Sequence, residues 1–276
     1  MTTQPLSITH ELLQKTMKHN PSLSDVAYPA PDRDRVLPDN IFDTPTDAIQ
    51  DFSFNSKVAS VFDDMVDRSV PYYREIQRMT GQLAADFAVP GTRVYDLGCA
   101  TGTSMVLMDG SIDTDVTLVG LDNSAEMLNK CREKLKDAKV TKPFELLEAD
   151  LNRDVVIENA SVVLLVLTLQ FVRPLYRERL MKQIFDGLNP GGCVILVEKV
   201  LGESSHLNRL SIDHYYEYKK SMGYSSLEIS QKREALENVL VPYRLTENLE
   251  LLQRLGFNQQ DTFFKWYNFC GIIAVK

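Results

Sequence analysis

Three apolar segments in succession finish on an aspartate. Val94-Tyr95-Asp96-Leu97 breaks into the loop Gly98-Cys99-Ala100-Thr101-Gly102, Leu118-Val119-Gly120-Leu121 ends in Asp122, and Phe144-Glu145-Leu146-Leu147-Glu148-Ala149 ends in Asp150. Successive strands that end this way line carboxylates along one edge of a parallel sheet, the edge at which open α/β sheets bind ligands. Such an edge suits a nucleoside, whose hydroxyls and amines need acceptors, and repels a phosphate.

The surrounding pattern supports that sheet. Strands at 93–97, 116–121, 144–149, 161–168 and 192–198 are interspersed with helices at 102–108, 124–136 and 174–187, the order of a doubly wound, mainly parallel α/β fold. Helices at 58–65 and 72–87 precede it. Asn189-Pro190-Gly191-Gly192 reads as a helix-to-strand loop. A polar and aromatic helical insert occupies about 204–238 and carries His214, Tyr215, Tyr216, Tyr218 and Tyr224. After a helix at 246–254 and the stop at Gly256, the runs 262–267 and 270–275 form a hairpin. The predicted sheet therefore has seven strands with an antiparallel C-terminal strand.

Residues 51–276 form the domain, and residues 1–50 stand apart. They hold half of the chain's 12 prolines (Pro5, Pro21, Pro29, Pro31, Pro38 and Pro45). A short helix is expected at 10–18, and the rest is read as a surface-draped extension or as an arm on a partner subunit.

Composition narrows the function. The net charge of −8 gives no global field toward nucleic acid or an anionic membrane. The longest apolar run, 162–169, is too short to span a bilayer, and no signal peptide is evident. Cys99, Cys131, Cys193 and Cys270 are widely spaced with no C-x-x-C pair, so neither a metal site nor a disulfide framework is expected. A reducing, cytoplasmic location fits.

Within the first loop, Gly98 and Gly102 allow close backbone approach and aim helix N–H groups at a ligand. The spacing D-x-G-x-x-x-G from Asp96 to Gly102 differs from the dinucleotide fingerprint. It matches the first motif of class I S-adenosylmethionine (SAM)-dependent enzymes, with Ala100 at a position that is often glycine. The same glycines serve equally in a plain strand-to-helix turn. Asp122 offers paired acceptors to ribose hydroxyls and Asn123 flanks adenine, although Asp122 is also suited to capping the helix that starts near Ser124. Asp150 accepts from the adenine amine and Leu151 covers a ring face, although Asp150 alone reads as a turn residue.

Beyond this loop, Ser69-Val70-Pro71-Tyr72-Tyr73, Ile157-Glu158-Asn159-Ala160-Ser161, Thr168-Leu169-Gln170-Phe171 and Gly187-Leu188-Asn189-Pro190-Gly191-Gly192 carry a more specific likeness. Gly223-Tyr224-Ser225 with Glu228-Ile229-Ser230-Gln231-Lys232-Arg233 is the most specific of all. From about residue 51 to the end, the chain resembles the carboxy-SAM synthases, bacterial enzymes of wobble-uridine 5-oxyacetic acid formation in tRNA. The resemblance implies a Rossmann-like SAM methyltransferase fold in a homodimer. Its implied reaction turns SAM and prephenate into carboxy-SAM, phenylpyruvate and water. It further implies cofactor contacts at Tyr73, Gly98, Cys99, Ala100, Asp122, Asn123, Asp150, Leu151 and Arg233. Arg233 would clamp the extra carboxylate of carboxy-SAM with two parallel hydrogen bonds; on residues alone it reads equally as an exposed helix arginine. Tyr73 would close over the sulfonium, because an aromatic face attracts a cation.

One position departs from the family, which usually has asparagine where this chain has Val166. The implied chemistry starts from prephenate, which loses carbon dioxide as aromatisation expels hydroxide. The hydroxide takes a proton from the sulfonium methyl, and the resulting ylide captures the carbon dioxide. The protein then supplies positioning, exclusion of water and cationic or hydrogen-bonding groups for carboxylates. The aromatic insert at 213–224 is read either as the wall of the substrate pocket or as core and dimer packing. An ordinary small-molecule SAM methyltransferase and a non-catalytic SAM-binding protein are the alternative readings.

Overall fold

The computed structural model describes residues 37–46 and 48–276; the helix expected at 10–18 lies outside them. Two helices, α1 (Ser56–Ser69) and α2 (Tyr73–Phe87), lead into β1 (Thr92–Leu97). Then follow α3 (Thr103–Ser111), β2 (Val116–Asp122), α4 (Ala125–Asp137), β3 (Phe144–Glu148) and β4 (Ala160–Val166). A 3₁₀ turn (Leu169–Phe171) precedes α5 (Pro174–Gly187) and the long β5 (Leu188–Leu201). The insert forms α6 (Ser205–Ser221) and α7 (Ser226–Leu236). The two-residue β6 (Tyr243–Arg244), α8 (Leu245–Arg254), β7 (Gln259–Trp266) and β8 (Phe269–Val275) complete the chain.

The sheet order is β3-β2-β1-β4-β5-β8-β7, with β6 pairing beside β5. Strands β1 to β5 pair in parallel, and β8 runs antiparallel to both β5 and β7. The mainly parallel sheet and the C-terminal hairpin are as expected, with the short β6 in addition. One boundary is corrected. Residues 189–192, expected as a loop, lie inside β5, where the pairing jumps from Ala160–Leu188 to Val162–Cys193. Gly191, at φ 78°, takes the left-handed turn that this bulge needs.

Burial on both faces explains why the central strands are apolar throughout. Val162, Leu164, Cys193 and Ile195 pack on one side with α3 and α4 residues such as Met105, Met108 and Leu128. Val163, Leu165, Val194 and Leu196 pack on the other with Leu180, Met181 and Ile184 of α5.

The insert is tied down by a buried polar hub. Asp39, 4 % exposed, accepts from Tyr224 Oη at 2.6 Å and pairs with Lys232 Nζ at 3.4 Å. Lys232 Nζ also donates to Ser69 Oγ at 3.0 Å, and Arg68 donates to the Met222 carbonyl and to Asp64. Gln231 accepts from Thr46 N and donates to the carbonyls of Phe42 and Thr44. The distinctive Gln231-Lys232 pair therefore clamps residues 39–46, the end of the Pro-rich segment, onto α7. Removing one partner of a buried ion pair leaves the other charge uncompensated. Asp39→Ala is expected to cost about 3 kcal/mol in urea unfolding, and Asp39→Asn, which keeps an acceptor for Tyr224, is expected to cost less.

Candidate functional site

Parallel pairing places Asp96 opposite Gly120 and Leu97 opposite Leu121, so β1 and β2 end side by side. A Cβ at Gly120 would lie 2.7 Å from Met105 Sδ and 2.9 Å from Cys99 Sγ, so only glycine lets the loop after β1 sit this close. That loop is pinned to β2. Gly98 N and Cys99 N donate to Leu121 O at 2.7 and 3.0 Å, and Ala100 N donates to Asp122 Oδ2 at 3.0 Å. Gly98 (φ 76°) and Gly102 (φ 83°) take left-handed turns, and so does Ala100 (φ 45°). The frequent glycine at the Ala100 position thus has a backbone reason.

Asp122 does not itself cap α4; Ser124 does, and Asp122 braces that cap. Its Oδ1 accepts from Ser124 N at 2.9 Å while Ser124 Oγ caps α4 through Met127 N, and each carboxylate oxygen keeps a further lone pair for a ligand. Burial raises its pKa despite these bonds. Asp150 Oδ1 accepts from both Asn152 nitrogens at 2.9 Å. Desolvation opposes its ionisation, but those bonds and the charges of Arg153 and Arg173 prevail and hold its pKa below the ordinary value.

A cavity of about 230 Å³ opens over this edge. Gly98, Cys99, Ala100, Asp122, Asn123, Asp150, Leu151 and Tyr73 all line it. Tyr73 is aimed inward because the left-handed Tyr72 (φ 56°) begins α2, leaving Tyr72 exposed and Tyr73 buried. A Cβ at Gly102 would lie 2.6 Å from Cys131 Sγ of α4, so glycine lets the loop pack this close. Asp96 lies beneath it, 1 % exposed, with one carboxylate oxygen lacking any hydrogen-bond partner. Desolvation, with the neighbouring Asp122 charge, pushes its pKa up to about 7. The carboxylates of Asp122 and Asp150, which do line the cavity, suit a ligand with hydroxyls, amines and positive charge, as SAM has. Cys99 is held as a thiol by hydrogen bonding with Cys131 and by burial, so it contributes shape and its backbone N–H.

Asp96 and Gly102 do not line this cavity, and Arg233 is not brought near it. Arg233 is exposed on α7, where Tyr216 bonds its guanidinium, and with Tyr216 and Lys220 it lines a separate surface depression. The insert reading resolves residue by residue. Tyr215 lines the cavity, whereas Tyr224 serves the Asp39 hub and His214 stacks on Tyr267. Val166 also lines the cavity and brings an aliphatic surface there.

Several lining residues had carried no sequence signal of their own. Phe52 and Phe54 cover the cavity and Phe54 packs edge-on against Phe171 at 5.3 Å. Gln77 and Lys199 also contribute, and Thr168 and Lys232 join them from stretches that carried the family likeness. Gln77 and Lys199 are isolated polar positions in amphipathic or apolar runs, which periodicity reads as solvent-facing.

A family profile described as a methyltransferase domain matches residues 94–192. Among solved structures, an O-methyltransferase family protein of Burkholderia thailandensis superposes with a TM-score of 0.59 at 14% identity, covering 80% of this chain and 60% of that one. A SAM-dependent methyltransferase of Aquifex aeolicus gives 0.53 at 15% identity, covering 81% and 99%. At these identities the likeness is one of fold. Sequence relatives are nearer. Carboxy-S-adenosyl-L-methionine synthase of Methylococcus capsulatus is 58% identical over 239 residues, 86% of this chain and 99% of that protein. The protein of the same name from Escherichia coli is 40% identical over 86% of this chain and 96% of its own length. The chain therefore belongs to the carboxy-S-adenosyl-L-methionine synthase family.

Proposed function

We propose that this chain converts SAM and prephenate into carboxy-SAM, phenylpyruvate and water, supplying carboxy-SAM for formation of wobble-uridine 5-oxyacetic acid. The observation that carries this reading is the 58% identity across nearly the whole of a carboxy-SAM synthase. The free thiols of all four cysteines support work in a reducing cytoplasm.

When bound, SAM supplies a sulfonium that acidifies the protons of its methyl group. Asp122 accepts from the ribose hydroxyls, Asp150 accepts from the adenine amine, and Leu151 and Asn123 flank the base. Asp96 places negative charge under the cationic end, and Tyr73 offers its ring to the sulfonium. Phe52, Phe54 and Phe171 exclude water. Arg233, on an outward face of α7, reaches a cavity in a second copy of the chain, where its guanidinium clamps the new carboxylate. This assignment makes the working unit a homodimer.

Two measurements test the reading. Incubation with SAM and prephenate should yield a nucleoside heavier by one carbon dioxide in mass spectrometry, whereas only S-adenosylhomocysteine, formed with added methyl acceptors, would contradict it. Arg233→Ala and Asp122→Ala chains, each inactive alone, should regain activity when mixed, because a mixed dimer owns one complete site; no recovery would place Arg233 in its own subunit's site.

Asp96 makes a pH prediction. Its folded pKa of about 7 exceeds the ordinary 3.8, so the folded state holds the proton more tightly than the unfolded chain. The unliganded protein then loses stability as pH rises from about 4 to 7, by roughly 3 kcal/mol. Asp96→Asn should remove this loss, making the unliganded variant the more stable protein in urea at pH 8 while weakening SAM binding.

A further inference from the structure

The cavity has two electrical poles. Its carboxylates, Asp122 and Asp150, stand at the end of β2 and just after β3, and ammonium groups gather at the other end. Lys199 on β5 and Lys232 on α7 line the cavity, and Lys219 of α6 is 5 % exposed behind Tyr215. Lys199 Nζ and Lys219 Nζ lie 5.1 and 4.7 Å from the centre of the Tyr215 ring, which itself lines the cavity.

Lys232 has a counter-charge in Asp39. Among the described residues, no carboxylate lies within ion-pair distance of Lys199 or Lys219. Burial holds both below the ordinary lysine value, Lys199 at about 8 and Lys219, with Lys199, Lys232 and Arg233 repelling it, at about 7. Buried charges are normally paired, so an anion is missing from this end. Gln77, 1 % exposed and lining the same cavity, keeps its Oε1 without a partner. Its open acceptor suits a ligand that also carries a hydroxyl.

The sheet register gives the spacing. Val166 pairs with Val197, and Lys199 follows two residues on, on the same face. From Asp122 on β2 the edge passes β1 and β4 before reaching Lys199 on β5. That is three strand spacings, roughly 14 Å. A cationic nucleoside held at the carboxylate pole thus presents its reactive end toward the ammonium pole.

We propose that Lys199 is the anchor for a carboxylate of the second substrate, with Lys219, acting through the Tyr215 wall, as a positioning residue that strengthens the positive field. The proposal rests on the reading above in taking that substrate to be a carboxylate.

The test uses full-length protein saturated with S-adenosylhomocysteine and titrated calorimetrically with prephenate, with phenylpyruvate and with the uncharged 3-phenylpropanol. Lys199→Met should weaken both carboxylates by about ten- to a hundredfold, the worth of one charge-assisted hydrogen bond. It should leave S-adenosylhomocysteine and 3-phenylpropanol within about twofold, and Lys199→Arg should restore most of the loss. Unchanged carboxylate affinity, or an equal loss of nucleoside affinity, would overturn the proposal. A second measurement needs no variant. In the wild type, prephenate should protect Lys199 from acetylation, read by peptide mass spectrometry, and S-adenosylhomocysteine alone should not; absence of protection by prephenate would also overturn it. Carboxylate binding that depends on Lys199 without formation of carboxy-SAM would sink the reaction and leave the anion site standing. Full turnover at unchanged prephenate KM in Lys199→Met would do the reverse.

Discussion

The site depends on how one carboxylate is satisfied. Asp122 accepts from Ala100 N on one side and Ser124 N on the other, so a single side chain fixes the loop after β1 and the start of α4. Those bonds are also why a buried anion is tolerable at the sheet edge. Asp96, one strand over, is buried with one oxygen unmatched, and desolvation raises its pKa.

Around that edge the chain adds what the parallel sheet does not provide. The insert and residues 39–46 are locked together by Asp39, Lys232 and Gln231, and from this assembly Tyr215 and Lys232 reach the cavity while Phe52 and Phe54 cover it. The Gln231-Lys232-Arg233 stretch therefore divides its labour. Its first two residues hold the fold on the inside of α7, and the third faces outward, toward a second copy in the reading advanced above.

Much of this was legible in order along the chain. Asp122 and Asp150, which line the cavity, and Asp96, buried away from its lining, were legible because strand ends in a parallel sheet are local features, set by apolar runs that stop at turn-forming residues. Ala100 showed as a departure from glycine, and its left-handed φ of 45° supplies the reason that glycine is frequent there. Contacts between segments far apart in sequence were not legible. Asp39 looked like part of an acidic, Pro-rich tail, yet it pairs with a lysine nearly two hundred residues away. Residues 189–192 looked like a loop because Pro and Gly punctuate loops; a bulge inside a strand uses the same residues. Lys199, one residue past the strand expected at 192–198, drew no reading from the sequence. Its significance lies in lacking a counter-charge among the described residues, which no spacing rule reveals.

A cation-binding pole and an anion-binding pole roughly three strands apart form the central claim. The most direct measurement is a crystal structure of the protein with SAM and phenylpyruvate bound together. The predicted density places the ribose on Asp122, the adenine beside Asp150 and Leu151, and the phenylpyruvate carboxylate within hydrogen-bond distance of Lys199 Nζ. A carboxylate bound elsewhere, with Lys199 contacting neither ligand or holding the nucleoside instead, would contradict it.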